Sequence, residues 1–247
     1  MSIGWDQLKS FTVARVALGR VGGSLTTEQL LQFRKDHALA RDAVWANLDI
    51  ERMVTTLDTL TSDVIVVSSQ ATDRQAYIKR PDLGRKLDDA SEKDLKCRQG
   101  EFELSICIAD GLSALAIENH AAPFLTCLLP LIKPFRLAPP TLIQQGRVAI
   151  SDQIGQLLGT TLSLILIGER PGLSSPDSMG VYMTYHPQTG NTDEKRNCIS
   201  NIRKEWHSYE FAAQKLALLI SESLRRKLSG VELKDTFDVN SMLPSKD

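Results

Sequence analysis

The run Leu162-Ser163-Leu164-Ile165-Leu166-Ile167 carries no charge and shows no alternation of apolar and polar residues. A strand with one wet face reads apolar and polar in turn. A run apolar in both phases has to be covered on both faces, as in a parallel sheet between helices. Val64 to Val67 is a shorter β-branched run, and Phe102 to Ile108 alternates and then turns fully apolar. Helix-like stretches separate these runs: Ala90 to Arg98, Ser113 to Ile132 and Ile150 to Leu158. Such interleaving predicts an α/β fold with an open, mainly parallel sheet flanked by helices.

Ahead of the sheet the pattern is helical. Thr26-Thr27-Glu28-Gln29 has the form of a capping box, in which the Thr26 hydroxyl and the Gln29 side chain satisfy free backbone N–H groups. Leu30, Phe33, His37, Ala40 and Val44 then recur at helical spacing, widened by Leu31, Ala38 and Trp45. Ile50, Met53, Leu57 and Leu60 mark a second helix, and Leu18 to Ser24 is a glycine-rich loop. Near the end, Tyr209, Ala212, Ala213, Leu216, Leu219, Ile220 and Leu224 form a long amphipathic helix, with Gly230 expected as its stop. The expected division is a helical N-terminal segment over 1–62, a sheet domain over 63–235 and a flexible tail over 236–247.

With 29 basic and 30 acidic side chains the net charge is -1, so no positive field exists to gather nucleic acid or anionic lipid. The longest apolar stretches, around Ala121 to Ile132 and Leu162 to Ile167, fall short of the ~20 residues a bilayer requires. The opening Met1-Ser2-Ile3-Gly4-Trp5-Asp6 shows no secretory pattern, and a cytoplasmic protein is expected. Cys97, Cys107, Cys127 and Cys198 form no C-x-x-C pair and are expected as free thiols, Cys107 and Cys127 within the core.

Ligands of open α/β sheets gather beyond the carboxyl ends of the strands. Two such ends carry loops of interest, Ile108 to Ser113 and Gly168-Glu169-Arg170-Pro171-Gly172. For Asp110 and Ser113 the favoured role is helix capping. Glu169 stands evenly between a plain ion pair with Arg170 and a carboxylate held on a rigid turn to receive ligand hydroxyls or amides. Arg80 to Lys86 reads equally as a solvated turn and as a basic edge for an anion. The four histidines, His37, His120, His186 and His207, are scattered, and no G-x-S-x-G, H-E-x-x-H or Walker loop occurs. The chain supplies no complete catalytic set, which suggests a binding subunit completed by a cofactor or a partner chain.

Six collinear blocks carry a resemblance. They are RVALGRVGGSLTTEQLLQFRKDHALARDAV (Arg15 to Val44), KRPDLGRKL (Lys79 to Leu87), ADGLS (Ala109 to Ser113), GRVAISDQIGQLLG (Gly146 to Gly159), IGERPGLSSPDSMGVY (Ile167 to Tyr182) and RNCISNIR (Arg196 to Arg203). Together they resemble the small subunit of ethanolamine ammonia-lyase over nearly the whole chain. The resemblance implies a Rossmann-like domain that closes over adenosylcobalamin, in a hetero-oligomer with a large subunit that holds the substrate. It further implies radical conversion of ethanolamine to acetaldehyde and ammonia, and cobalamin contacts at Val148, Glu169 and Cys198. No catalytic residue is expected on this chain. No metal ligand is expected either, since a Cys198 thiolate on cobalt would compete with the cofactor's own base. The recognisable region is taken to begin at about Arg15, without the longer N-terminal extension of many relatives. Packaging in a bacterial microcompartment is left open. Two other readings remain: a dinucleotide-dependent oxidoreductase on a Rossmann-like sheet, against which the missing G-x-G-x-x-G counts, and a non-enzymatic interaction module.

Overall fold

The computed structural model describes residue 7, residues 15–16, 18–204 and 208–234. The expected tail over 236–247 and His207 lie outside the described residues. Along the chain run β1 (Arg20–Val21), β2 (Ser24–Leu25), α1 (Thr27–Trp45), α2 (Ile50–Asp58), β3 (Ile65–Ser68), α3 (Arg74–Lys79) and α4 (Asp89–Cys97). There follow β4 (Leu104–Ala109), α5 (Ala114–Ile132), β5 (Thr141–Gln144), α6 (Ile150–Leu158), β6 (Leu162–Gly168), β7 (Met179–Tyr185), β8 (Arg196–Ile202) and α7 (Tyr209–Arg226).

The six-stranded sheet has the order β3-β5-β4-β6-β7-β8. Its first four strands are parallel, and β7 and β8 add on antiparallel. The expected α/β sheet between helices is present, and its apolar runs explain the layering. Leu104, Ile106 and Ile108 of β4 and Leu162, Leu164 and Leu166 of β6 face one side, into a cluster with α2, α5 and α7. Cys107, Ala109, Ile165 and Ile167 face the other, into a cluster with α4 and α6. Each strand therefore spends both phases of its period on core, as burial on two faces demands.

Among the described residues α5 is the one helix long and apolar enough to cross a membrane. It runs over the helix-like stretch read from Ser113 to Ile132, with Ser113 capping it by accepting from the Ala116 N–H at 3.3 Å. Nine of its side chains are buried here, packed on β6 and α7.

Two local expectations change. α7 ends at Arg226 with Lys227 in the left-handed conformation at φ 57°, so Gly230 is not the stop. Gly230 is instead required by close packing, since a Cβ there would lie 2.7 Å from the carbonyl carbons of Glu194 and Lys195. The glycine-rich segment holds a short hairpin of β1 and β2, turned at Gly22 with φ 61°. The Thr26 cap is as expected, accepting from the Gln29 N–H at 3.3 Å. The apolar stripe of α1, however, is not buried: among its described side chains only Ala43 is.

Candidate functional site

The carboxyl edge of the parallel strands is built by two glycines in contact. The Leu112 N–H donates to the Gly168 carbonyl at 2.9 Å, laying the turn after β4 on the end of β6. A Cβ on Gly168 would sit 2.5 Å from the Asp110 carbonyl oxygen and closer still to that of Ser113, so only glycine lets the two turns meet. Ser113 caps α5, as favoured from sequence. Asp110 does not cap it. Its two oxygens accept from the Gln145 and Gly146 N–H groups, each at 3.1 Å, and so tie the end of β4 to the end of β5.

Beside Asp110 lies the guanidinium of Arg74, at 3.5 Å, and both side chains are at least nine-tenths buried. Arg74 also donates to the carbonyls of Val44 at 2.6 Å and Gly111 at 2.8 Å. Burial raises the Asp110 carboxyl to about 6, with Arg74 and the backbone N–H groups of Gln145, Gly146 and Gly111 pulling it back down. The pair forms part of the lining of a cavity of about 790 Å³ beyond the ends of β3, β5 and β4, alongside Ser68, Ser69, Gln144 and Gln145. The loops after β4 and β5 leave toward opposite faces of the sheet at this point. Such a switch is where open α/β sheets form a crevice.

Glu169 follows on the same edge, and its setting comes from a flaw in the β7–β8 ladder. Met179 pairs with Ile202 and Val181 with Ile199, so Ser200 and Asn201 together face Gly180 alone. The extra residue puts Asn201 at φ 59°. Its N–H donates instead to the Glu169 carboxylate, at 3.2 and 3.3 Å. The Ser178 hydroxyl donates to the Glu169 Oε2 as well. Gly180 leaves the room: a Cβ there would lie 2.8 Å from Glu169 Oε1. The bonds of Glu169 thus go to the bulge and to Ser178, while Arg170 is exposed.

Cys198 pairs with Tyr182 across β7 and β8, and Tyr182 with Ile165 across β6. Tyr182 and Val148 both pack on the cluster beneath α4 and α6. The thiol of Cys198 is raised by desolvation first and by the Glu169 charge, against a hydrogen bond with Tyr182. Tyr182 is raised by burial, by Cys198 and by Glu169. Glu169, Tyr182 and Cys198 therefore act on one another, with Val148 on the same side of the sheet. α4 packs over β3, and α6 over β4 and β6. On β8, Cys198 and Ser200 stay exposed. Tyr182, Glu169 and Cys198 thus form one group, and Val148 lies on the same side of the sheet.

Sequence reasoning named Val148, Glu169 and Cys198 but not Tyr182, Ser178 or Asn201, which hold or adjoin them. Their signal lay in the same blocks as Glu169 and Cys198, with Asn at 201 suited to left-handed backbone. It also left His120 among scattered histidines. The fold sets its Nδ1 2.8 Å from the Tyr209 hydroxyl and its Nε2 3.3 Å from Asp177, which fastens the β6–β7 loop to α5 and α7. Among the described residues no group of three or more His, Cys, Asp or Glu side chains could hold a metal ion.

The profile of the family described as ethanolamine ammonia-lyase light chain matches residues 3–234. The chain belongs to that family. The match starts twelve residues ahead of Arg15, where the recognisable region was expected to begin. The ethanolamine ammonia-lyase small subunit of Pseudomonas fluorescens Pf-5 is 48% identical over 244 residues, 96% of this chain and 89% of the relative. That of Azotobacter vinelandii is 49% identical over 241 residues, 95% and 89% of the two chains. That of Pseudomonas aeruginosa LESB58 is 48% identical over 244 residues, 96% and 89%. Membership of the ethanolamine ammonia-lyase family makes this a lyase small subunit.

Proposed function

We propose that this chain is the cofactor-holding half of an adenosylcobalamin-dependent ethanolamine ammonia-lyase, active only in a hetero-oligomer with a large subunit. The observation that carries the reading is the grouping of Tyr182, Glu169 and Cys198 on the side of the sheet that also carries Val148. A corrin is broad and apolar on its faces and rimmed by amides, and apolar side chains beside a fixed acceptor suit it. The fit is supported at Glu169. Ser178 donates to Oε2 and the Asn201 N–H lies across both oxygens, which fixes the carboxylate's orientation, while Oε1 keeps a second lone pair for an amide donor.

When bound, adenosylcobalamin supplies the radical chemistry that converts ethanolamine to acetaldehyde and ammonia. This chain's residues hold and orient. Val148 and Tyr182 offer apolar contact and exclude water from the ring they cover. Glu169 would hold the group by accepting from its rim amides, and Cys198, a neutral thiol beside Tyr182, would offer a soft contact. Substrate groups belong to the large subunit. Residence in the cytoplasm, free or in a bacterial microcompartment, fits four free cysteines.

Mixing the chain with a large subunit and adenosylcobalamin should give lyase activity that neither chain shows alone. In a spectroscopic titration of the two-chain complex with cobalamin, Glu169→Ala should weaken binding by about 1–3 kcal/mol. Glu169→Gln, which keeps an acceptor, should lose less. Turnover by the isolated chain would refute the subunit reading, and an unchanged isotherm for Glu169→Ala would remove Glu169 from the contacts.

A further inference from the structure

Twelve large apolar side chains are exposed among the described residues, and seven of them fall between Val21 and Trp45. Leu31 is 58% exposed, Trp45 52%, Leu39 49% and Leu30 40%, and Val21 and Leu25 of the hairpin join them. The helix α1 that carries most of them turns Ala43 to the rest of the chain. At 100° per residue, Leu30, Leu31 and Trp45 lie on the far side of the helix from Ala43. A helix of this length is marginal in water unless an apolar face is packed. Here the cap at Thr26 and Arg15, which lies 3.5 Å from Asp36 and stacks 5.0 Å over Phe33, hold α1 in shape. Arg15 covers Phe33, while among the described residues Leu30, Leu31 and Trp45 stay exposed.

We propose that α1 with its hairpin is the arm by which this subunit grips the large subunit; the inference rests on the two-chain reading above. Three observations select that occupant. First, α1 carries three acidic and three basic side chains, Glu28, Asp36, Asp42, Arg34, Lys35 and Arg41. A helix of zero net charge has no attraction for anionic lipid or nucleic acid and is suited to a protein surface. Second, the arm is fastened to the cofactor edge of the sheet: buried Arg74, paired with Asp110 there, donates to the Val44 carbonyl in the last turn of α1. Asn47 and Leu48, just past the helix, line the cavity at that edge. Third, a cofactor held on this edge has to face substrate on the other chain, so the arm continues the surface that the large subunit must cover. A second copy gripping α1 would not close that edge.

The test uses the full chain co-expressed with a large subunit. The double variant Leu31→Glu/Trp45→Glu changes only exposed side chains, so the thermal melt of the chain alone should stay as in the parent. Its affinity for the large subunit, read by analytical ultracentrifugation of the purified chains, should fall at least tenfold. Leu218→Glu, at an exposed position of α7, should leave that affinity unchanged. Assembly of the double variant at parental affinity would overturn the inference, as would an equal loss in Leu218→Glu. A parent that self-associates through the arm, and whose variant becomes monomeric without losing the large subunit, would overturn it too. If the parent chain failed to bind any large subunit, the two-chain reading would fall and this inference with it. Parental assembly with an unaffected double variant removes the arm alone.

Discussion

Asp110 stores a measurable pH dependence. Its carboxyl titrates at about 6 in the fold because burial disfavours the charge more than Arg74 and the neighbouring backbone N–H groups favour it. In the unfolded chain an aspartate titrates near ~3.9. Between about pH 4 and about pH 6 the folded chain therefore holds more proton than the unfolded one, and this group's contribution to stability falls as pH rises. A difference of about two units amounts to about 3 kcal/mol across the window. Asparagine at 110 cannot ionise, so Asp110→Asn lacks that slope. It leaves Arg74 without a counter-charge and can accept from only one of the Gln145 and Gly146 N–H groups, and so starts less stable. Urea titrations from pH 4 to 7.5 should show the variant gaining on the parent by up to about 3 kcal/mol until about pH 6.5, and nothing further above it. A gap that does not change with pH would show that Asp110 is not held protonated by burial. A gap that widens with pH would show that Arg74 outweighs desolvation.

Gly168→Ala should cost about 1–3 kcal/mol in urea, because the added methyl meets two carbonyl oxygens that belong to fixed turns. A loss under about 0.5 kcal/mol would mean that the strand end has slack. Arg196→Ala should cost about 3–5 kcal/mol at neutral pH, since it strands the buried carboxylate of Asp152, the two side chains being 2% and 1% exposed. Burial already raises Asp152, so that loss should shrink as the pH falls and the carboxyl takes up its proton; a thermal melt series with no such trend would speak against the pair.

The six blocks of sequence were enough to place the chain in its family, and the two-phase apolar runs were enough for the layered α/β sheet. LSLILI cannot be wet on either side, whatever else the chain does. Ile150 to Leu158 came out to the residue because periodicity and flanking turns agree there. Val148, Glu169 and Cys198 were named only through the resemblance, since no local pattern distinguishes a ligand carboxylate from an ion pair. Tertiary structure decided the rest. The Glu169 orientation depends on a bulge 32 residues downstream, where pairing of β7 with β8 leaves the Asn201 N–H without a ladder partner. Asp110 became a buried anchor, not a cap, because β5 lies alongside β4 and offers two N–H groups. The stripe of α1 was visible as apolar spacing, yet spacing records only that a face seeks cover. Which surface covers it depends on where the helix emerges from the fold, and here it emerges at the carboxyl edge of the parallel strands, with Leu30, Leu31 and Trp45 exposed among the described residues.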